Sequence, residues 1–164
     1  MRQDVKQQLI TYIIDNQEKF YRLAYSYVHD REEALDVVQN AIVKALEKHD
    51  GIRSESAIKA WFYRVLVNES LNSLSRNKRE VNWEPEEFRD IPAEEQSQPD
   101  EDLYNQIDRL PTNLKTVVML RFYEDLTLEE IAKVTEISLS TVKYRLYAGL
   151  KKLRVFLKEE DNVS

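Results

Sequence analysis

Apolar side chains recur at three- and four-residue spacing along most of this chain, and that period predicts α-helices. The first stripe runs through Leu9, Ile10, Ile13 and Ile14, then Phe20, Leu23, Ala24 and Tyr27. Asp30 followed by Glu33 predicts a capped start for the next helix. Its apolar face would be Ala34, Leu35, Val38, Ala41, Ile42, Ala45 and Leu46, and His49-Asp50-Gly51 would stop it, with Gly51 suited to the helix end. Ser54 or Ser56 can cap a third helix carrying Ile58, Trp61, Phe62, Val65, Leu66 and Leu71. Three packed helices over about the first 80 residues make one small domain.

Past residue 102 the same period resumes. Leu103, Ile107 and Leu110 form a short stripe that Pro111 breaks, and Leu114, Val117, Val118, Leu120 and Phe122 form the next. Thr127-Leu-Glu-Glu130 is a capping box that opens a short helix to about Val134. A turn at Glu136-Ile137-Ser138 leads into a last helix from about Leu139 to Lys158, with Val142, Leu146, Leu150, Leu153 and Leu157 on one face. No strand pattern or internal repeat interrupts this, so the expected fold class is all-α: two small helical bundles.

Charge separates the two bundles. Residues 80–102 hold ten acids against the single base Arg89, together with Pro85, Pro92 and Pro99. Repeated proline and like charge oppose a continuous helix and a packed core, which predicts an acidic linker. A solvated tether and an acidic strand lying in a partner's basic channel, anchored by Trp83 and Phe88, both fit that composition. The net charge of -6 comes from this segment, since residues 1–79 carry 13 bases and 11 acids and residues 103–164 carry 10 and 9. The chain as a whole argues against nucleic acid; its flanks do not.

The composition narrows the chemistry. With no cysteine there is no disulfide, thiolate metal site or thiol nucleophile. His29 and His49 stand 20 residues apart and form no compact metal motif, and the two glycines form no phosphate loop. An enzyme, a metal and a cofactor are therefore not expected. The N-terminal MRQDVKQQLI lacks a signal peptide's apolar core, and no apolar run approaches membrane-spanning length. A soluble, cytoplasmic chain without membrane insertion is expected.

Three polar constellations remain. The segment Thr127–Tyr147 has helix-turn-helix form, and the start of its second helix gathers Ser138, Ser140, Thr141, Lys143, Tyr144, Arg145 and Tyr147. In such motifs those positions reach base edges in the major groove, with hydroxyls on phosphate and Arg or Lys on guanine. A merely solvated basic face, favoured by the helix dipole, would look the same. The third helix interleaves Trp61, Phe62, Tyr63, Arg64, Asn68 and Asn72 with Arg76-Asn77-Lys78-Arg79, a mixture suited to unpaired bases. Trp61 and Phe62 equally fit plain core. Asp36, Gln39, Asn40 and Lys44 form a polar surface on the second helix. An ordinary helix-turn-helix regulator binding a palindromic operator, and a helical adaptor with no DNA role, both remain compatible with these features.

Three stretches together resemble the extracytoplasmic-function class of sigma-70 factors. FYRLAYSYVHDREEALDVVQNAIVKAL is similar to the first part of sigma region two, AWFYRVLVNESLNSLSRNKRE to its promoter-melting part, and LPTNLKTVVMLRFYEDLTLEEIAKVTEISLSTVKYRLYAGLKKL to region four. The resemblance implies residues 1–79 as region two, 80–102 as linker and 103–164 as region four. It implies that Asp36 and Gln39, with Asn40 and Lys44 beside them, face core RNA polymerase. Trp61, Arg64, Asn68, Asn72, Arg76, Lys78 and Arg79 would face the minus-ten element, with Asn68 near a pocket for a flipped base that the loop His49–Ser56 completes. The helix-turn-helix residues would read the minus-thirty-five element. Implied partners are core RNA polymerase, promoter DNA and a membrane-anchored anti-sigma factor, in a stress response. The family commonly has Gly where this chain has Glu136 and Ser140, and a small residue at Tyr144.

Overall fold

The computed structural model describes residues 2–80 and 99–163, with side chains described over 5–76 and 103–159. Eight α-helices and two short 3-10 turns make up the described architecture, and no strand occurs in it. The N-terminal half comprises α1 (Arg2–Asp15), α2 (Gln17–Val28), α3 (Arg31–Glu47) and α4 (Ile58–Glu80). The C-terminal half comprises α5 (Pro99–Asp108), α6 (Thr112–Phe122), α7 (Leu128–Thr135) and α8 (Leu139–Val163).

The first stripe forms two helices rather than one. Asn16 breaks it: its backbone N–H bonds to Ile13 and its side-chain amide donates to the carbonyl of Tyr12 at 2.8 Å. Leu9 and Ile13 face the core, while Ile14, about 100° further round, is 61% exposed. The start of α3 matches its capping signal, with the Asp30 carboxylate accepting from Glu33 N–H at 2.9 Å. Gly51 does not terminate α3 in a left-handed cap. That helix ends at Glu47, and Gly51 closes a 3-10 turn (His49–Gly51) with ordinary φ. Nor does Ser54 or Ser56 cap α4: a 3-10 turn (Glu55–Ala57) precedes it, and the two hydroxyls bond each other at 3.0 Å.

Among the residues assigned to the linker, Glu80 ends α4 and Pro99–Asp102 open α5. Proline at the first helical position loses no bond, and the acids after it suit the positive end of the helix dipole. Trp83 and Phe88 lie outside the described residues.

In α8 the inward positions are Val142, Leu146, Gly149, Leu153 and Phe156. Leu150 and Leu157, expected inside, are substantially exposed. Gly149 takes the inward place because α8 there lies against α6, where a Cβ would meet Val118 Cγ2 at 2.8 Å. Leu35 and Phe122, also expected in apolar faces, point outward, Phe122 at 52%.

The two halves pack on each other through α2 and α4 against α6 and α7. Phe20, Tyr27, Phe62 and Leu66 from one half and Val117, Leu120, Leu126 and Ile131 from the other belong to one continuous buried core.

Candidate nucleic-acid interface

The helix-turn-helix is built by local capping at each joint. Thr127 and Glu130 exchange both bonds of the capping box, at 3.1 and 2.9 Å, and open α7. Glu136 then turns the chain in the left-handed region, at φ 58°. Non-glycine residues adopt that conformation uncommonly, and the sequence carries no glycine here to announce it. Ser138 caps α8: its Oγ accepts from Thr141 N–H at 3.2 Å and lies 2.8 Å from the Thr141 hydroxyl. Val142 and Ile131 are fully buried and fix the angle between the two helices.

This leaves one side of α8 outward. Tyr144 and Tyr147 are 69% and 68% exposed, and Ser138, Ser140 and Lys143 join them, with Thr141 half-buried. Two aromatic rings and a lysine on the first turns of a capped helix can meet base edges, methyl groups and phosphates. The later bases Lys151, Lys152, Arg154 and Lys158 also face solvent. Arg145 is different. It is half-buried and lines a cavity of about 290 Å³ between the two halves.

On α4 the constellation divides. Phe62 is buried, which bears out its plain-core reading, and Tyr63, expected among the residues suited to unpaired bases, is buried as well. Trp61 is half-buried, at the edge of a groove that also includes Lys133, Glu136 and Ile137 of the other half. Arg64 pairs with Glu136 at 3.2 Å. Asn68 is exposed but lines the same cavity as Arg145, together with Thr112, Asn113, Thr116 and Thr135. Asn72 and Arg76 face solvent, and the side chains of Lys78 and Arg79 lie outside the described residues. Gly51 of the His49–Ser56 loop approaches the Trp61 indole closely enough that a Cβ would sit 3.6 Å from its Nε1.

On α3, Asp36, Gln39 and Asn40 are exposed together with the apolar Leu35 and Val43. Lys44 is ion-paired with Glu69 of α4.

The structure adds a set of residues that no spacing in the sequence announces. Arg22 Nη2 donates to the Tyr123 carbonyl at 2.7 Å and reaches Glu124 at 3.5 Å. Tyr63 donates to Glu124 at 2.7 Å. Tyr27 is hydrogen-bonded to Thr116, and Lys115 donates to the Ser26 carbonyl at 2.6 Å. Asp108 accepts from Lys115 at 3.0 Å and lies 2.7 Å from His29 Nε2. Burial pushes the Glu124 carboxyl above its usual range, against the Tyr63 bond and the Arg22 charge. Asp108 moves the other way: burial would raise it, but the His29 bond and the Lys115 charge outweigh that and hold it low. Among the described residues, no group of three or more His, Asp or Glu side chains could hold a metal ion, and no helix is long and apolar enough to cross a membrane.

Comparison with known proteins agrees with this geometry. The family model described as Sigma-70 region 2 matches residues 13–80, and that for Sigma-70, region 4 matches residues 100–153. RNA polymerase sigma factor SigV of Bacillus subtilis is 43% identical over 162 residues, covering 98% of this chain and 97% of that one. RNA polymerase sigma-H factor of Pseudomonas aeruginosa is 32% identical, covering 82% and 78%. Among solved structures, sigma factor RpoE in complex with anti-sigma factor NepR from Bartonella quintana superposes with a TM-score of 0.74 at 23% identity, covering 90% of this chain and 95% of that one. CnrH in complex with the cytosolic domain of CnrY gives 0.72 at 17% identity, covering 96% and 97%.

Proposed function

This chain belongs to the sigma-70 family of RNA polymerase sigma factors, in its extracytoplasmic-function class, and we propose that it directs core RNA polymerase to a promoter with two separate elements. The observation that carries this reading is the exposed start of α8, where Ser138, Ser140, Lys143, Tyr144 and Tyr147 stand outward on a helix whose other side is locked by Val142. That half, residues 103–164, would read the minus-thirty-five duplex in the major groove. The half formed by residues 1–79 would hold the polymerase and the opened minus-ten strand, with residues 80–102 as the tether.

Division of labour follows from chemistry. Asp36, Gln39 and Asn40, set beside exposed Leu35 and Val43, give α3 a mixed polar and apolar face suited to a protein partner, the core polymerase. Lys44 would contribute there only after leaving Glu69. Trp61, Arg64, Asn68, Asn72 and Arg76 line α4 for an unpaired strand, and Asn68 would hydrogen-bond a flipped base. Unstacking that base costs a few kcal/mol, which stacking and hydrogen bonds must offset. The bond-making chemistry of RNA synthesis belongs to the polymerase. A net charge of -6 makes binding to free DNA weak, so the polymerase supplies both affinity and geometry.

The solved complex of sigma factor RpoE with anti-sigma factor NepR supports control of this chain by an anti-sigma factor; a membrane anchor for that factor and a role in a stress response are what the family resemblance implies. Reconstituted run-off transcription tests the reading. Core polymerase with this chain should give promoter-specific transcripts that neither gives alone. Binding of the free chain to a palindromic operator, without any effect on polymerase, would overturn it.

A further inference from the structure

The seam between the two halves encloses a cavity of about 290 Å³, walled by α4 on one side and by α6, α7 and α8 on the other. Its lining is of two kinds. Val67 and Val134, both buried, and Leu71 present carbon, whereas Arg145, Asn68 and Asn113 present N–H donors. Among the described residues no carboxylate lines it. The Thr116 and Thr135 hydroxyls are already engaged, with Tyr27 and with the Ile131 carbonyl. Arg145 is not. Of the half-buried arginines among the described residues, Arg22 pairs with Glu124 and Arg64 with Glu136, but Arg145 has no ion pair and no hydrogen bond. A guanidinium keeps its charge at every working pH, and one drawn partly out of water is stabilised by an anion.

We propose that this cavity binds a nucleoside monophosphate, and that the nucleotide and promoter DNA exclude each other. One guanidinium in a cavity lined by donors and free of carboxylates selects a single phosphoryl group, which it can grip with two parallel N–H bonds. The Asn68 and Asn113 amides each offer a donor and an acceptor, the pattern that reads the edge of a base. Both amides are exposed, which puts them at the mouth of the cavity. Val67, Leu71 and Val134 supply apolar surface for the base ring and the sugar. The volume lies near the lower end for small-molecule sites, which fits one nucleotide rather than a dinucleotide. Asn68 and Arg145 are the residues assigned above to nucleic acid, and a free nucleotide presents them with the same chemistry in miniature. While it holds them, neither can reach a promoter. The exclusion rests on the promoter reading given above for those two residues; the binding itself does not.

Calorimetric titration of the full-length chain with adenosine, guanosine, cytidine and uridine monophosphates tests the site, with inorganic phosphate and the bare nucleosides as probes of its parts. At least one monophosphate should bind one to one, and phosphate or the matching nucleoside alone far more weakly. Arg145→Gln should weaken that binding about 10- to 100-fold, as loss of a charged hydrogen-bonded contact does. Asn113→Asp sets a negative charge at the exposed mouth and should also weaken it, by like-charge repulsion. Arg154→Gln, which removes a charge from the solvent side of α8, should not. Circular dichroism should stay helical in all three variants. With core polymerase and promoter but no nucleoside triphosphates, the bound monophosphate should lower the yield of promoter complex several-fold in a gel shift, and one that the chain does not bind should leave it unchanged. Lack of saturable binding in the millimolar range, full affinity in both Arg145→Gln and Asn113→Asp, or equal weakening by Arg154→Gln would overturn the site. Nucleotide binding with an undiminished promoter complex would overturn the exclusion. Absence of any promoter complex before nucleotide is added, with nucleotide binding intact, would instead sink the underlying promoter reading.

Discussion

Tyr63 of α4 donates its phenolic hydrogen to the Glu124 carboxylate at 2.7 Å, across 61 positions of sequence, with both groups buried. Neither residue belongs to a recognition surface, yet the bond ties the strand-reading helix to the helix-turn-helix half. Tyr63→Phe keeps the ring and removes the donor, leaving a buried carboxylate with only Arg22 beside it. A loss of about 1–2 kcal/mol in denaturant unfolding is expected.

Asp108 should make stability depend on acid. Its folded-state pKa is held low, so its contribution is complete above the ordinary carboxylate value and is lost as pH falls through the depressed one. Asp108→Asn should therefore cost about 1 kcal/mol near neutrality, and that cost should shrink as the pH is taken below the carboxylate range. Glu124 has the opposite sign: its raised pKa means a proton is taken up on folding, so its share of stability is complete below the ordinary carboxylate value and is lost as pH rises through the raised one. Thermal melts of Asp108→Asn and Glu124→Gln across pH should bend in opposite directions relative to the wild-type chain.

Gly149→Ala should destabilise although alanine is the better helix former. The new methyl would lie 2.8 Å from a stiff Val118 branch on α6. Overpacking of that kind costs about 1–3 kcal/mol, against a helix-propensity gain of about 1 kcal/mol. A lower melting temperature for G149A, recovered on adding Val118→Ala, would identify the close approach of α6 and α8 as the cause.

Lys143→Ala and Arg145→Ala should each weaken dependence on the minus-thirty-five element, by about 1–3 kcal/mol where a base contact is lost. The two should differ before DNA is added. Lys143 is exposed, whereas Arg145 lines the seam cavity, so only the Arg145 variant should change the melting curve of the free chain. Promoter competition and melting, run on the same preparations, check both.

Asn68→Ala should impair promoter opening while leaving core binding intact. Permanganate footprinting of unpaired thymines measures the first, and co-elution with core polymerase the second. Normal open-complex yield would remove Asn68 from the flipped-base pocket.

Helix formation, the cap of α3 and the capping box of α7 are local events, and local sequence determined them; the ends expected at Gly51 and at Ser54 or Ser56 were not of that kind. Asp30 with Glu33, Thr127 with Glu130, and the three-to-four spacing of Leu23, Val38, Leu66, Val117 and Val142 involve neighbours within one or two turns. The same locality made the helix-turn-helix and the outward Lys143, Tyr144 and Tyr147 legible. What lay beyond it were choices between near-equal faces: Gly149 rather than Leu150 inward on α8, Ile13 rather than Ile14 on α1, Arg145 toward the seam rather than solvent. Such choices depend on which surface arrives opposite, and α6 or α4 arrives from far along the chain. The pairing of Tyr63 with Glu124, and of His29 with Asp108 across 79 positions, has no sequence signature at all. The Tyr63–Glu124 pair exists because burying one half against the other withdraws both groups from water and obliges each to find its partner there, whereas His29 stays exposed beside a half-buried Asp108 and meets it only because the fold brings α2 and α5 together.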